Sequence, residues 1–487
     1  MRVLLVSLNK LRSYRPALPV GMATVASQLA ARGHAVRCLD LMFEDDEEAA
    51  LGRALAEHGP ELVGLSIRNL DSQNFLEPVV YTPLAREVAD WVRARLPGAR
   101  LLLGGAGFSS VPEELMEFVG ADYGLVGFAE SSAVALVEKL ERGESPREVD
   151  GIVLPEAGGG FFSREPSFSY RAEGVAPLDS SFYDPRYFDY RFETHHQVRG
   201  VAASVQTKKG CVLECIFCSN FLIDGTGVKL RDPSEVVDEI AAVAASGGTA
   251  FEVVDGVFNL PLHHALAVLR EMERRRLSLE WTCMINPGAV SPELVERMAA
   301  TGCTEIELGT DSGDDEVLRR LKKNFRRRRI EEVHRWFEAA GIRITHCLFI
   351  GSPGDSRASL FATFDLLDRL VPAGHPDHRA YWTLGQRIAP RTGLHRIAVE
   401  EGLLEPADRL LVPRYYIEPR VLADERLIDD IERRVTANLN WYLWWGLGRI
   451  PLRQRIADAQ REQRRLAELY GAALAGRRRE GALAAAR

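Results

Sequence analysis

Short apolar runs of four to seven residues, separated by helical stretches, recur along this chain in two series with a break between them. Alternation of this kind builds parallel sheets covered by helices. Two series within 487 residues require at least two such bodies. In the first series VLLVSL (3–8), AVRCLDL (35–41), LVGLSI (62–67), RLLLGG (100–105) and YGLVG (123–127) read as central strands. Helical segments at 21–33 and near 48–58, 82–95, 112–119 and 131–142 separate them. Residues 1–142 are therefore expected to form a doubly wound α/β sheet, with a ligand beyond the carboxyl ends of its strands. Residues 143–199 break the rhythm. Gly158–Gly160, Pro166, Pro177 and Pro185, with aromatics such as Tyr170 and Phe188, predict an ordered linker with hairpins.

The second series spans 200–395: GVAASVQT (200–207), AFEVVDG (250–256), LEWTCMI (279–285), TEIELG (304–309), RITHCLFIG (343–351) and AYWTLGQRI (380–388). Six βα units in a row predict a barrel or most of one. Residues 396–487 read as a helical domain with an Ala/Arg-rich tail. The formal charge of −8 argues against a nucleic-acid binder held by phosphate contacts. No stretch approaches the ~18 apolar residues of a membrane span. The opening MRVLLVSLNK is apolar too briefly, and lacks the small-residue cleavage site, to be a signal peptide. Seven cysteines, three of them clustered, form no disulfide framework, so a reduced, cytoplasmic setting is expected.

Those three lie in GCVLECIFCSNF (210–221), at Cys211, Cys215 and Cys218. Thiolates at this spacing can converge on one inorganic centre from a single loop, and Gly210 allows a sharp turn before them. Structural zinc takes four protein ligands, often as paired CxxC knuckles, and no second pair exists; Cys38, Cys283, Cys303 and Cys347 stand apart. Three cysteines and one open position suit a 4Fe–4S cluster whose fourth iron binds something else. A zinc site completed from elsewhere is the competing reading.

CxxxCxxC after the first strand of a βα repeat, with Phe217 before the third cysteine, resembles the radical SAM superfamily. The resemblance implies a (β/α)6 partial TIM barrel. It also implies a cluster whose open iron is chelated by S-adenosylmethionine (SAM), which is cleaved reductively to a 5′-deoxyadenosyl radical. A one-electron donor such as flavodoxin or ferredoxin is then an implied partner. EVVDG (252–256) is similar to the segment that holds the SAM amino group, through Asp255. IELGTDSGDDEVLRRLKK (306–323) resembles the strand-four segment G-x-E-S-G, with Asp311 where Glu is commoner, followed by Ser312. LFIGSPGDS (348–356), containing Gly351, resembles the segment lining the adenine, and RIAPRTGL (387–394) a Pro-x-x-Thr turn at the barrel's far end.

A doubly wound domain ahead of such a barrel resembles the cobalamin-binding radical SAM enzymes. The matching pieces are LPVGMATVASQLAARGHAV (18–36, with Gly21), SIRNLDSQNF (66–75), LLLGGAGFS (101–109) and GADYGLVGFAE (120–130). They imply Gly21, Ser66, Arg68, Asn69, Gly104, Gly105, Gly107, Phe108, Gly127 and Glu130 as cobalamin-binding positions. A dinucleotide reading of GGAG fails, because that fingerprint follows the first strand and this one follows the fourth. No histidine lies between His58 and His195, so the Asp-x-His-x-x-Gly ligand of other cobalamin domains is absent, as is common in this subgroup. Arg68 or Asn69 is the candidate neighbour of the lower cobalt face. A guanidinium there disfavours higher cobalt charge.

Bland readings cover the other conspicuous stretches. EDDEE (44–48) reads as a helix start, His195–His196 as a polar linker, and KKNFRRRR (322–329) as a barrel segment rather than a nucleic-acid site. NWYLWW (440–445), read as a helix, presents aromatics all round and must be buried or touch something apolar. The resemblance implies methyl transfer from SAM through methylcobalamin to an unactivated carbon of a small-molecule, peptide or lipid substrate. The alternative is a non-methylating rearrangement, ring contraction or cyclisation with the same cofactors. The scarcity of cysteine before residue 200 argues against methylthiolation.

Overall fold

The computed structural model describes residues 1–11, 16–168, 179–189, 202–245, 247–277, 279–443 and 450–485. Tyr170, Pro177, the His195–His196 pair, Trp444 and Trp445 lie outside the described residues. Strands β1 (Arg2–Ser7), β2 (Ala35–Asp40), β3 (Leu62–Ser66), β4 (Arg100–Gly104) and β5 (Tyr123–Leu125) pair in parallel in the order β2-β1-β3-β4-β5. The helices Glu47–His58, Thr82–Arg95 and Pro112–Val119 pack on one face, while Val20–Ala31 and Ala129–Glu141 pack on the other. Burial on both faces is why these strands read as continuous apolar runs rather than alternating ones. The order reverses between β1 and β3, which opens the crevice that a doubly wound sheet offers a ligand. Two further strands, β6 (Ile152–Pro155) and β7 (Phe161–Ser163), join antiparallel at the β5 edge. The first sheet thus runs past residue 142 into the segment read as a linker.

A second sheet holds β8 (Ala202–Val205), β11 (Ala250–Val253), β12 (Glu280–Ile285), β13 (Cys303–Asp311), β14 (Arg343–Ile350), β15 (Arg379–Leu384) and β18 (Trp441–Leu443). All pair in parallel, in the order β18-β15-β14-β13-β12-β11-β8. Two small antiparallel pairs stand beside it: β9 (Lys208–Cys211) with β10 (Gly227–Leu230), and β16 (Gln386–Arg387) with β17 (Tyr415–Tyr416). Along β13 the side chains alternate, with Ile306 and Leu308 in the helix-facing core and Glu305 and Glu307 on the concave side. Residues from six of the large strands line one cavity, so the sheet curves around it as an open barrel. A closed eight-stranded barrel fills this space with branched aliphatics. Here it is walled by Glu, Thr and Tyr.

The seventh strand corrects the helical reading of NWYLWW. Asn440 accepts from Gly374 N at 2.8 Å and donates to the His375 and His378 carbonyls at 2.6 and 3.0 Å, which lays the chain along β15. Trp441 then packs against Trp382 and Phe364, with ring centroids 5.2 and 5.9 Å away. Beyond it the helix Leu452–Ala485 returns to the first sheet, where Tyr470 Oη meets Thr82 Oγ1 at 2.7 Å and its ring stacks on Phe118. Leu411 N donates to Glu114 at 2.8 Å, and Arg387 ion-pairs with Asp71. The carboxyl-terminal part therefore fastens the two bodies together. The chain between residues 452 and 485 is helical, while β17 and β18 come from the same portion.

A buried histidine cluster ties the helix Arg327–Ala339 to β14 and β15. Thr310 Oγ1 meets His346 Nδ1 at 2.7 Å, and His346 Nε2 meets His334 Nδ1 at 3.0 Å. His334, Glu338 and His378 bring ligand atoms within 4.8 Å of one another, a metal-like spacing. However, His378 Nδ1 accepts from Ile344 N at 3.3 Å, and His375 Nδ1 accepts from His378 N at 3.0 Å. His378 Nε2 and His375 Nε2 face Glu338 at 3.8 and 4.0 Å, beyond hydrogen-bond distance. With both Nδ1 atoms accepting backbone N–H bonds, the cluster acts as a polar staple.

Burial, reinforced by neighbouring imidazoles, lowers His334 to about 3 and His378 to about 4. Below the ordinary histidine value the unfolded chain binds protons that the folded chain refuses, so stability falls as pH drops from ~6.5 toward ~4. Thermal unfolding followed across that window should show this acid loss. His378→Asn, which keeps an acceptor for Ile344 N, should reduce the slope by about one proton.

Candidate functional site

The cysteine loop is built by a hairpin. Cys211 ends β9 and pairs with Gly227 of β10. Gly210 has φ +84°, and a Cβ there would fall 2.3 Å from Gly227 O, so only glycine fits this turn. Ile216, at the loop's centre, is clamped from both sides. Its N–H donates to Leu321 O at 3.3 Å, and its carbonyl accepts from Leu394 N at 2.8 Å. Cys218 N donates to Cys215 O at 3.1 Å, closing the turn between them. Leu213 N donates to Cys211 Sγ at 3.5 Å, and Asn220 N donates to Cys218.

Burial raises the Cys215 and Cys218 thiols, and the charges of the neighbouring thiols raise them further. Three sulfurs within mutual Coulomb range, already receiving N–H donors, match the thiolate set of an iron–sulfur cluster. The bound iron would remove the repulsion that the bare thiolates feel. Cys283 and Cys303, expected to stand alone, touch one another across adjacent strands in the core.

Lys323 stands beside this loop. It is buried, ion-pairs with Asp311 and hydrogen-bonds Cys215. Its Nζ lies 5.6 Å from the Phe217 ring and 5.7 Å from that of Phe325. Burial opposes its charge, but Asp311 and Cys215 outweigh that, and its pKa is raised. Asp311 adopts φ +56° at an irregularity where β13 pairs with β14, a left-handed conformation unusual for a residue with a side chain. The sequence reading missed Lys323 because it merged into a basic run. Its burial depends on the fold, and no pattern in residues 319–329 distinguishes it.

The other positions singled out for SAM are spread around the barrel's carboxyl end. Phe217 packs edge-on to Phe349 of β14 at 5.2 Å. Ser312 Oγ accepts from Asp314 N at 3.1 Å. Gly351 N donates to Asp355, whose carboxyl burial pushes up to about 7. Asp255 lines the cavity, with its oxygens accepting from Thr207 N at 2.8 Å and Lys208 Nζ at 2.7 Å. Two groups went unnoticed in the sequence. Ser352 Oγ and both amide atoms of Gln386 are buried without hydrogen-bond partners among the described residues. They follow Ile350 and Leu384, which are neighbours in the sheet.

Both bodies wall a single cavity of about 1780 Å³. Drug-sized sites occupy ~300–1,000 Å³, so this space accommodates more than one ligand. From the first sheet come Gly21, Ser66, Arg68, Gly104, Gly105, Gly127 and Glu130. A Cβ on Gly105, at φ +99°, would strike Ile67 O at 2.5 Å, so only glycine lets this turn pack against the end of β3. Phe108 instead lies in the core, Gly107 packs on Ile67, and the Asn69 amide closes back on Arg68. Arg68 is largely buried, which lowers its pKa, with Glu252 of β11 acting in the opposite sense. Glu130 ion-pairs with Lys209, joining the first body to the cysteine hairpin. No histidine lines the cavity among the described residues.

Comparison with known proteins agrees with this geometry. The family described as "Radical SAM superfamily" matches residues 205–367, and "B12 binding domain" matches residues 10–137. Tryptophan 2-C-methyltransferase of Streptomyces laurentii is 28% identical over 454 residues, covering 81% of this chain and 74% of the relative. Cytidylyl-2-hydroxyethylphosphonate methyltransferase of Streptomyces wedmorensis is 22% identical, covering 80% of each. The solved structure of the radical SAM methyltransferase TsrM from Kitasatospora setae, with cobalamin and a [4Fe-4S] cluster bound, superposes with a TM-score of 0.77 at 22% identity. It covers 100% of this chain and 99% of that one. The chain thus joins a B12-binding domain to a radical SAM domain, with SAM, a 4Fe–4S cluster and cobalamin as its cofactors, and it is similar to methyltransferases of that architecture.

Removing Lys323 would strand the Asp311 carboxylate in a buried place, at a cost of about 3–5 kcal/mol. Lys323→Met should therefore lower the thermal unfolding midpoint, and adding Asp311→Asn should recover most of the loss. The two changes measured singly and together report the coupling between them.

Proposed function

We propose that this enzyme moves a methyl group from SAM, by way of cobalamin, to an unactivated carbon of its substrate. A 5′-deoxyadenosyl radical derived from a second SAM removes the hydrogen that the methyl replaces. The observation that carries this reading is the shared cavity, since the methyl carrier, the radical source and the substrate carbon must meet in one water-poor space. When bound, the cluster supplies one electron for SAM cleavage and cobalamin supplies a carrier for the methyl group.

The remaining work falls to the chain. Cys211, Cys215 and Cys218 hold the cluster, and Lys323 with Asp311 sets the charge beside it. Phe217, Asp311, Ser312 and Gly351 border the SAM position. The unsatisfied Ser352 hydroxyl and Gln386 amide are suited to a purine edge, which offers both donors and acceptors. Asp255 takes a positioning part, because its oxygens already anchor β9 to the end of β11. Gly104, Gly105 and Gly127 would admit the corrin, and Arg68, which lines the same cavity, would lie beside it. Within the substrate classes open from sequence, a barrel lined by Glu252, Glu305, Glu307, Thr345 and Tyr381 favours a polar molecule bearing a basic amine over a lipid.

The test needs no substrate. The protein is reconstituted without oxygen and given cobalamin, SAM with a trideuterated methyl group, and a strong one-electron reductant. Labelled methyl on the extracted cobalamin, formed at an enzyme-dependent rate, is the expected result. Cobalamin that stays unmethylated while 5′-deoxyadenosine accumulates would favour the rearrangement reading. Failure to retain cobalamin would sink the assignment of the first domain.

A further inference from the structure

Asn9 follows the end of β1 by two residues, at the crevice where the strand order of the first sheet reverses. It is 5% exposed and lines the shared cavity. Its Oδ1 accepts from Leu11 N at 3.3 Å, which settles which end of the amide carries the hydrogens. Its Nδ2 is buried and has no acceptor among the described residues. The neighbouring groups are already engaged. Leu8 N donates to Ser66 O at 3.2 Å, tying the ends of β1 and β3 together. Ser7 hydrogen-bonds Asp40, which also accepts from Met42 N at 3.0 Å and Tyr187 Oη at 2.8 Å. Lys10 is turned away, donating to Leu41 O and Glu44 O at 3.0 and 2.6 Å and ion-pairing with Glu47 at 2.7 Å. Asparagine after a strand is ordinary turn chemistry, so the sequence does not mark this one out.

A buried donor without an acceptor is costly, and in a ligand crevice it marks the place of a missing partner. We propose that Asn9 donates from Nδ2 to a side-chain amide carbonyl on the rim of the corrin, which makes it a cobalamin-binding residue. The inference rests on the cobalamin reading of the first body. A doubly wound sheet takes its ligand at this point, beyond the strand ends. The corrin rim is dressed with acetamide and propionamide groups, whose oxygens are neutral acceptors for a neutral donor. The phosphate of the cofactor's nucleotide would call for cations instead. Of the cations beside this crevice, Lys10 is held by the loop after β2, and Arg68 has Glu252 acting on it from the barrel. The substrate amine belongs on the barrel side, where Glu305 and Glu307 line the cavity, and a second donor would not attract it. No histidine lines the cavity among the described residues, so retention of the cofactor depends on contacts around its ring. One hydrogen bond there weighs heavily.

The test compares the full-length wild type with Asn9→Leu, each prepared without corrinoid and then titrated with hydroxocobalamin. Free cofactor is measured by absorbance after ultrafiltration, and thermal unfolding is followed with and without it. The variant's dissociation constant should rise roughly tenfold, the worth of one hydrogen bond. Its cofactor-free unfolding midpoint should match the wild type, because a donor with no acceptor contributes nothing to that state. The rise in midpoint on adding cobalamin should shrink. Aquacobinamide, which keeps the rim amides and lacks the nucleotide, should lose affinity by the same factor. If Asn9→Leu folds poorly, Asn9→Asp repeats the titrations with an oxygen still available to Leu11 N. Equal affinities for cobalamin would overturn the proposal. A loss for cobalamin but not for cobinamide would overturn it in favour of the nucleotide. A fall in cofactor-free stability that accounts for the weaker binding would leave Asn9 a structural residue. If the wild type retains neither corrinoid, the reading of the first body has failed and the role of Asn9 falls with it.

Discussion

Two parallel sheets share one cavity, and nearly every functional feature of this enzyme depends on that. The carboxyl ends of β1, β3 and β4 open toward the concave face of the barrel sheet, so loops that bind in one body face polar walls in the other. Such an arrangement requires the two bodies to be held in register. The Glu130–Lys209 ion pair, the Arg387–Asp71 ion pair and the return of Tyr470 to Thr82 and Phe118 do this from three directions. Exposed pairs contribute little, but Asp71 is fully buried at its side chain, where loss of a partner is expensive.

Charge is concentrated where the chemistry lies. Lys323 and Asp311 hold opposite charges in a buried place beside a thiolate cluster, an arrangement that would be unfavourable for either residue alone. The same logic separates the two metal-like clusters in this chain. Cys211 and Cys218 receive backbone N–H donors at sulfur, and Cys215 meets the Lys323 ammonium. His378 and His375 beside Glu338 already accept backbone N–H bonds at Nδ1.

Much of this was legible in the sequence. The five strands of the first sheet stand where continuous apolar runs place them, because they are buried on both faces. Six of the barrel strands stand where the second series of runs places them, with polar residues alternating onto the cavity face. The cysteine loop was legible because its spacing has few other uses. NWYLWW was misread because a short aromatic strand and a buried helical turn look alike in sequence, and the choice rests on Asn440 bonds to carbonyls more than sixty residues away. The hairpin of β6 and β7 was foreseen as local structure, but its pairing with β5 depends on an edge that the sequence does not display.

The sequence by itself determined the classes of element, the two parallel sheets and the three thiols, since each follows from local periodicity or spacing. The tertiary structure decided which polar groups lose water and which neighbours they then meet. It took Lys323 from a solvated basic run and buried it against Asp311, while leaving Lys322, Arg326 and Arg328 outside. It directed Asp255 into an internal network and left the Gln386 side-chain amide without hydrogen-bond partners among the described residues. The reason is that desolvation depends on the whole fold, and residues of identical type a few positions apart can stand on opposite sides of that boundary.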